Sequence, residues 1–147
     1  MKIALGADHA GVELKAEVMQ LLDSMNIEYS DFGTDGSESV DYPDYAKPVA
    51  KSVAAGEYDL GILICGTGIG MSIAANKVHG VRCALVHDVF TAKVTREHNN
   101  SNVLAMGARV IGIDLAKMIV ETWVSSEYEG GRHERRLQKL AEIEAEY

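Results

Sequence analysis

The chain has 147 residues, 47% of them hydrophobic, only two prolines and a formal net charge of −8. That length suits one domain, residues 1–147, around one core, and that composition favours a packed fold over disorder. The acidic balance argues against nucleic acid and anionic membrane as partners, and no apolar run approaches the ~20 residues that span a bilayer.

The opening MKIALGADHAG passes from a lysine straight into a strand-like run. That is unlike a secretory leader and sets the expectation of a cytoplasmic protein whose two cysteines, Cys65 and Cys83, are free thiols. Residues 2–8 read as a buried strand, and 10–25 carry apolar residues at helical spacing. A second strand is expected over 27–32. The stretch GTDGSESVDYPDY reads as a loop, followed by a helix over 45–55 closed by Gly56. Residues 60–65 (LGILIC) form the third strand, and 68–77 a helix opened by glycines. A strand over 81–87, a helix over 89–97 and a short strand over 103–106 follow. Asp114 is placed to cap a helix running through Trp123, and 132–147 form a last helix.

Strands alternating with helices imply right-handed crossovers and a parallel sheet covered on both faces. The expected architecture is a Rossmann-like (flavodoxin-like) doubly wound α/β fold with strand order 2-1-3-4-5. Strands 1 and 3 are then neighbours whose chains leave in opposite directions, which opens a crevice at their carboxyl ends. ADHAG and CGTGIG both fall there.

Gly66, Gly68 and Gly70 let the backbone turn sharply and aim successive N–H groups at one point, beside a helix N-terminus. Such a cradle suits a phosphate or a developing enediolate. It is not a nucleotide P-loop, because Lys and Ser/Thr do not follow the last glycine. Cys65 lies at its lip, where a thiol serves as base or nucleophile. Cys83, in VRCALV, reads as a structural thiol. His98 and Asn99 end the fourth helix in a polar stretch, and a histidine at a helix C-terminus suits a general acid. Arg109 interrupts an apolar stretch, which suggests a buried arginine with an anionic partner. Arg132 and Arg136, four apart in GRHERR, share a helix face and can clamp a phosphate. No His/Cys/carboxylate set shows a metal-ligand spacing.

DHAG, YPDYA, CGTGIG, REHNNSNVLAMGARV and GGRHERR, in this order, resemble the ribose-5-phosphate isomerase B family, which also includes the galactose-6-phosphate isomerase subunits. The resemblance covers essentially the whole chain. It implies a metal-free aldose–ketose isomerase with no cofactor and a sugar phosphate as substrate. Cys65 then matches the base that moves a proton between C1 and C2, and Thr67 and His98 match the ring-opening positions, with His98 the acid. The amides of Gly66, Thr67, Gly68, Ile69 and Gly70 match the enediolate cradle. Asp8, His9 and Asn99 match substrate contacts, and Arg109, Arg132 and Arg136 the phosphate site. Some members carry glutamate at the position of Cys65; this chain is of the cysteine type.

The resemblance also implies a homodimer or tetramer with sites at the subunit interface. The narrow apolar seam of the last helix (Leu137, Leu140, Ile143) fits docking on a neighbouring subunit. Open alternatives are a hexose phosphate (allose or galactose 6-phosphate), an unphosphorylated aldose, a non-catalytic sugar-phosphate sensor and a flavin carrier. The last is disfavoured by an aromatic content of 6%.

Overall fold

The computed structural model describes residues 1–147. Five parallel strands form one sheet: β1 (Lys2–Ala7), β2 (Glu28–Asp31), β3 (Leu60–Cys65), β4 (Cys83–Leu85) and β5 (Val103–Gly107). Six helices alternate with them: α1 (Val12–Ser24), α2 (Tyr42–Ala54), α3 (Ile69–Ala75), α4 (Val89–Asn99), α5 (Ile113–Ser125) and α6 (Arg132–Ala145).

The strand order is β2-β1-β3-β5-β4, so the two last strands are exchanged relative to the expected 2-1-3-4-5. Burial accounts for the exchange. All five residues of β5 are buried, whereas β4 has three residues, none of them buried. The short, exposed strand takes the edge, and the Asn76 side chain covers its open side by bonding the Cys83 N–H (2.8 Å) and C=O (3.0 Å). The handedness rule then assigns each helix to a face. Steps to the left (β1 to β2, β4 to β5) put α1 and α4 on one face, where α5 joins them. Steps to the right (β2 to β3, β3 to β4) put α2 and α3 on the other.

Strand alternation serves both layers. Ile3, Leu5, Ile62, Ile64, Leu104 and Met106 pack beneath α1, α4 and α5 against Leu14, Val18, Ile119 and Trp123. Ala4, Leu63, Cys65, Val103 and Ala105 pack beneath α2 and α3 against Ala46, Val49, Val53 and Met71. The second layer is closely built: a Cβ on Gly61 would lie 2.8 Å from the Val49 side chain. Cys65 therefore faces the α2–α3 layer at the carboxyl edge of the sheet.

Helix α2 begins at Tyr42 rather than at 45, because Pro43 occupies the first turn, where a missing N–H leaves no bond unmade. Gly112 precedes α5, and Asp114 lies in its first turn rather than at the cap. His133 is the one buried residue of helix α6. The helix lies along its own chain, where the Gly80 N–H donates to Glu144 Oε1 at 2.9 Å, and it leaves Leu140 and Ile143 about half exposed. No helix is long and apolar enough to cross a membrane.

Candidate active site

The chain after β1 turns onto the α1 face and the chain after β3 onto the α3 face, so the two strand ends part. The Asp8 N–H donates to the Ile64 carbonyl at 3.1 Å, which lays the DHAG turn against the end of β3. Gly11 is required there, since a Cβ would stand 2.7 Å from the Ile64 carbonyl oxygen. The buried Asp8 carboxylate accepts the Ala10 N–H at 2.9 Å. His9 Nδ1 accepts the Val40 N–H at 3.2 Å, so a neutral His9 carries its proton on Nε2.

At the end of β3 the chain reverses through Gly68, whose φ of 78° is left-handed. The reversal brings the Gly68 N–H to 3.1 Å from Cys65 Sγ, a backbone donor directed at sulfur. The Ile69 N–H donates to Thr67 Oγ1 at 3.2 Å. The N–H groups of Gly66, Thr67 and Gly70 donate to nothing within the chain. Three free amides in the loop that follows a thiol make an electrophilic cradle beside a group able to serve as a base.

The chain leaving β5 closes over this loop. Ala108 and Arg109 donate their N–H groups to the carbonyls of Cys65 (2.9 Å) and Gly66 (3.0 Å). The Arg109 guanidinium lies over Gly66, where a Cβ would meet Nη1 at 3.2 Å. Arg109 is exposed, against the burial suggested by its apolar neighbours, and it has no carboxylate partner. The reason is that β5 ends at Gly107 and releases the chain from the core before Arg109 is reached.

Two further residues, Tyr42 and His87, shape the cleft. The Tyr42 ring packs on Gly70, where a Cβ would fall 2.6 Å from Cζ. His87 Nε2 accepts the Gly107 N–H at 3.0 Å and pins the end of β5. The visible signal for Tyr42 was an aromatic residue directly before the helix-opening Pro43.

The remaining predicted residues lie elsewhere. Helix α4 runs antiparallel to the strands, so its last turn reaches the amino edge of the sheet. Arg82 Nε holds that turn, donating to the carbonyls of Asn99 and Asn100 at 3.1 Å each. Asn102, just beyond, accepts the Gly61 N–H at 2.8 Å at the start of β3. Cys65 is four residues further along β3, about 13 Å at ~3.3 Å per residue. His98, Asn99, Arg132 and Arg136 therefore cluster at one end of the sheet, and Asp8, His9, Cys65, Thr67 and Arg109 at the other.

In the amino-edge cluster the His98 and His133 rings are stacked, with centroids 4.2 Å apart and planes 16° apart. Glu129 approaches both, with its oxygens 4.0 Å from each Nε2. Ligand atoms of the three lie within 4.8 Å of one another. Near-parallel rings do not aim their in-plane lone pairs at a common point, so an ion shared between them would lie outside both planes. The arrangement suits ring stacking beside a carboxylate rather than ligation. A groove of about 370 Å³ between α6 and residues 80–84 is lined by Asn99 and Cys83. Burial pushes the Cys83 thiol up to about 12, so that groove holds no usable sulfur base.

Comparison with known proteins identifies the family. A family model described as Ribose/Galactose Isomerase matches residues 3–140. Ribose-5-phosphate isomerase B of Escherichia coli K12 is 52% identical over 143 residues, covering 97% of this chain and 96% of that protein. The structure of Clostridium thermocellum ribose-5-phosphate isomerase B superposes with a TM-score of 0.98 at 53% identity, covering 100% of this chain and 99% of the other. That of ribose-5-phosphate isomerase B from Mycoplasma genitalium with bound ribulose-5-phosphate superposes with a TM-score of 0.95 at 40% identity, over 99% and 97% of the two chains. With matching at this level along essentially its entire length, the chain belongs to the ribose/galactose isomerase family.

Proposed function

We propose that residues 1–147 act as a single domain that interconverts ribose 5-phosphate and ribulose 5-phosphate. The observation that carries this reading is Cys65 Sγ held 3.1 Å from the Gly68 N–H in a loop with three free amides. A proton beside a carbonyl is abstracted only where a base and stabilisation of the resulting oxyanion occur together. Cys65 takes the C2 proton of the open-chain aldose and returns it at C1. The free amides of Gly66, Thr67 and Gly70 face the enediolate oxygen, while Gly68 and Ile69 turn the loop by bonding Cys65 Sγ and Thr67 Oγ1. The relatives from Escherichia coli and Mycoplasma genitalium are ribose-5-phosphate isomerases, the second with ribulose-5-phosphate bound, which supports the five-carbon substrate.

The reaction needs the amino-edge residues as well. His98 with Thr67 opens the furanose, and Asp8, His9 and Asn99 hold the sugar hydroxyls. Arg109, Arg132 and Arg136 hold the phosphate, which fixes the reacting carbons from a distance. Because Cys65 and His98 occupy opposite ends of one sheet, each site is assembled from two copies of the chain. One copy supplies the Cys65 loop with Asp8, His9 and Arg109; the other supplies His98, Asn99, Arg132 and Arg136. A cytoplasmic homodimer is the smallest assembly that satisfies this geometry.

The deciding assay measures isomerisation of ribose 5-phosphate beside allose 6-phosphate and galactose 6-phosphate. Ribose 5-phosphate is expected to give the highest kcat/KM. Cys65→Ala is expected to lose at least about a hundredfold in kcat, the usual scale for a general base. Parent-like turnover by Cys65→Ala refutes the mechanism, and a hexose preference refutes the substrate.

A further inference from the structure

Most of helix α6 is exposed to solvent, yet its second residue, His133, is 7% exposed. A histidine enclosed at the start of an otherwise solvated helix calls for a contact that holds it, and that contact is His98. The two imidazoles lie face to face at 4.2 Å. Glu129 stands against the edges of both rings, 4.0 Å from each Nε2. The turn that carries Glu129 is itself anchored: the Glu129 N–H donates to the Glu97 carbonyl at 3.0 Å, one residue before His98. Tyr128 adds a second tie through its hydroxyl, which donates to Glu134 Oε2 at 2.8 Å.

We propose that His133 and Glu129 are positioning residues for His98, one fixing the plane of its ring by stacking and the other restraining its Nε2 edge. The inference rests on the reading of His98 as the ring-opening acid. A free histidine on the last turn of a helix samples several rotamers, and the productive one must be selected before a proton reaches the ring oxygen. His98 has its side chain 39% exposed, so packing within its own helix does not select it. The stack and the shared carboxylate do. Burial first, then the positive charge of a protonated His98 and that of Arg132, hold the His133 imidazole below its ordinary range.

Because His133 and Glu129 act only through His98, a double-mutant cycle isolates them. Turnover of ribose 5-phosphate is measured for His98→Ala, His133→Ala, Glu129→Gln, His133→Phe and the double variant His98→Ala/His133→Ala, with urea unfolding as a check on folding. His133→Ala is expected to lower kcat about tenfold with KM changed less than about threefold, and Glu129→Gln to lower it less. His133→Phe, which keeps a stacked ring without a titratable nitrogen, is expected to recover most of the loss. The double variant is expected to be no slower than His98→Ala alone. Losses that multiply in the double variant, or a His133→Phe variant as slow as His133→Ala at parent stability, overturn the positioning role. A His98→Ala variant as active as the parent overturns instead the reading of His98 on which the role depends.

Discussion

The two-ended distribution of the site residues makes a quantitative prediction for mixed subunits. Cys65→Ala removes the proposed base at the carboxyl edge, and Arg132→Ala/Arg136→Ala removes two proposed phosphate ligands at the amino edge. Each variant alone is expected to fall to a floor at low substrate concentration. When they are mixed in equal amounts and allowed to exchange, half of the proposed dimers contain one chain of each kind. In such a dimer one site carries both lesions and the other carries none. About one quarter of all sites are then intact, so activity is expected to recover to about a quarter of the parent value. The basis is the ~13 Å of β3 between the Gly61 end, tied to Asn102, and Cys65. Side chains of one chain do not bridge that span around a fully buried strand. The assay is ribose 5-phosphate turnover well below KM, with exchange verified by native mass spectrometry on differently tagged chains. If exchange is complete and the mixture stays at the floor, the site lies within one chain and the reasoning from strand direction is wrong.

Three other predictions follow from local geometry. Gly68→Ala forces a side chain into a left-handed backbone and places Cβ 2.7 Å from the Met106 carbonyl carbon, so it is expected to destabilise by about 2–5 kcal/mol and to abolish measurable turnover; urea melts and kcat check this. Cys83, pushed up to about 12 by burial, has roughly one thiol in ten thousand ionised at pH 8, so native protein treated with iodoacetamide at that pH is expected to leave Cys83 unmodified by peptide mass mapping. Rapid labelling of Cys83 in folded protein contradicts this. Asp31→Asn leaves the 2%-exposed Lys15 ammonium without the carboxylate 2.7 Å away and with only the Thr34 carbonyl, and is expected to cost about 3 kcal/mol in urea unfolding. Adding Lys15→Met is expected to restore part of that loss, because the uncompensated charge goes with it; a double variant less stable than Asp31→Asn refutes the account.

Much of the chemistry was written locally. The glycine spacing in CGTGIG, the cysteine at the strand's last position and the polar break at REHNNSN depend on short-range backbone geometry, and a sequence displays short-range geometry directly. The alternation of strands and helices, with the handedness of their crossovers, likewise placed DHAG beside CGTGIG, because neighbouring β1 and β3 depend only on the first three strands. The exchange of β4 and β5 was not legible: both are short apolar runs, and which one is covered on both sides depends on packing across the sheet. The exposure of Arg109 follows from where β5 ends, and the enclosure of His133 from where α6 meets α4; neither is a property of a local window. Residue types and spacing thus determined which groups are proposed to carry the reaction. Strand direction alone decided that Cys65 and His98 lie at opposite ends of one sheet, since a helix returning antiparallel to its strand carries its last residues to the far edge.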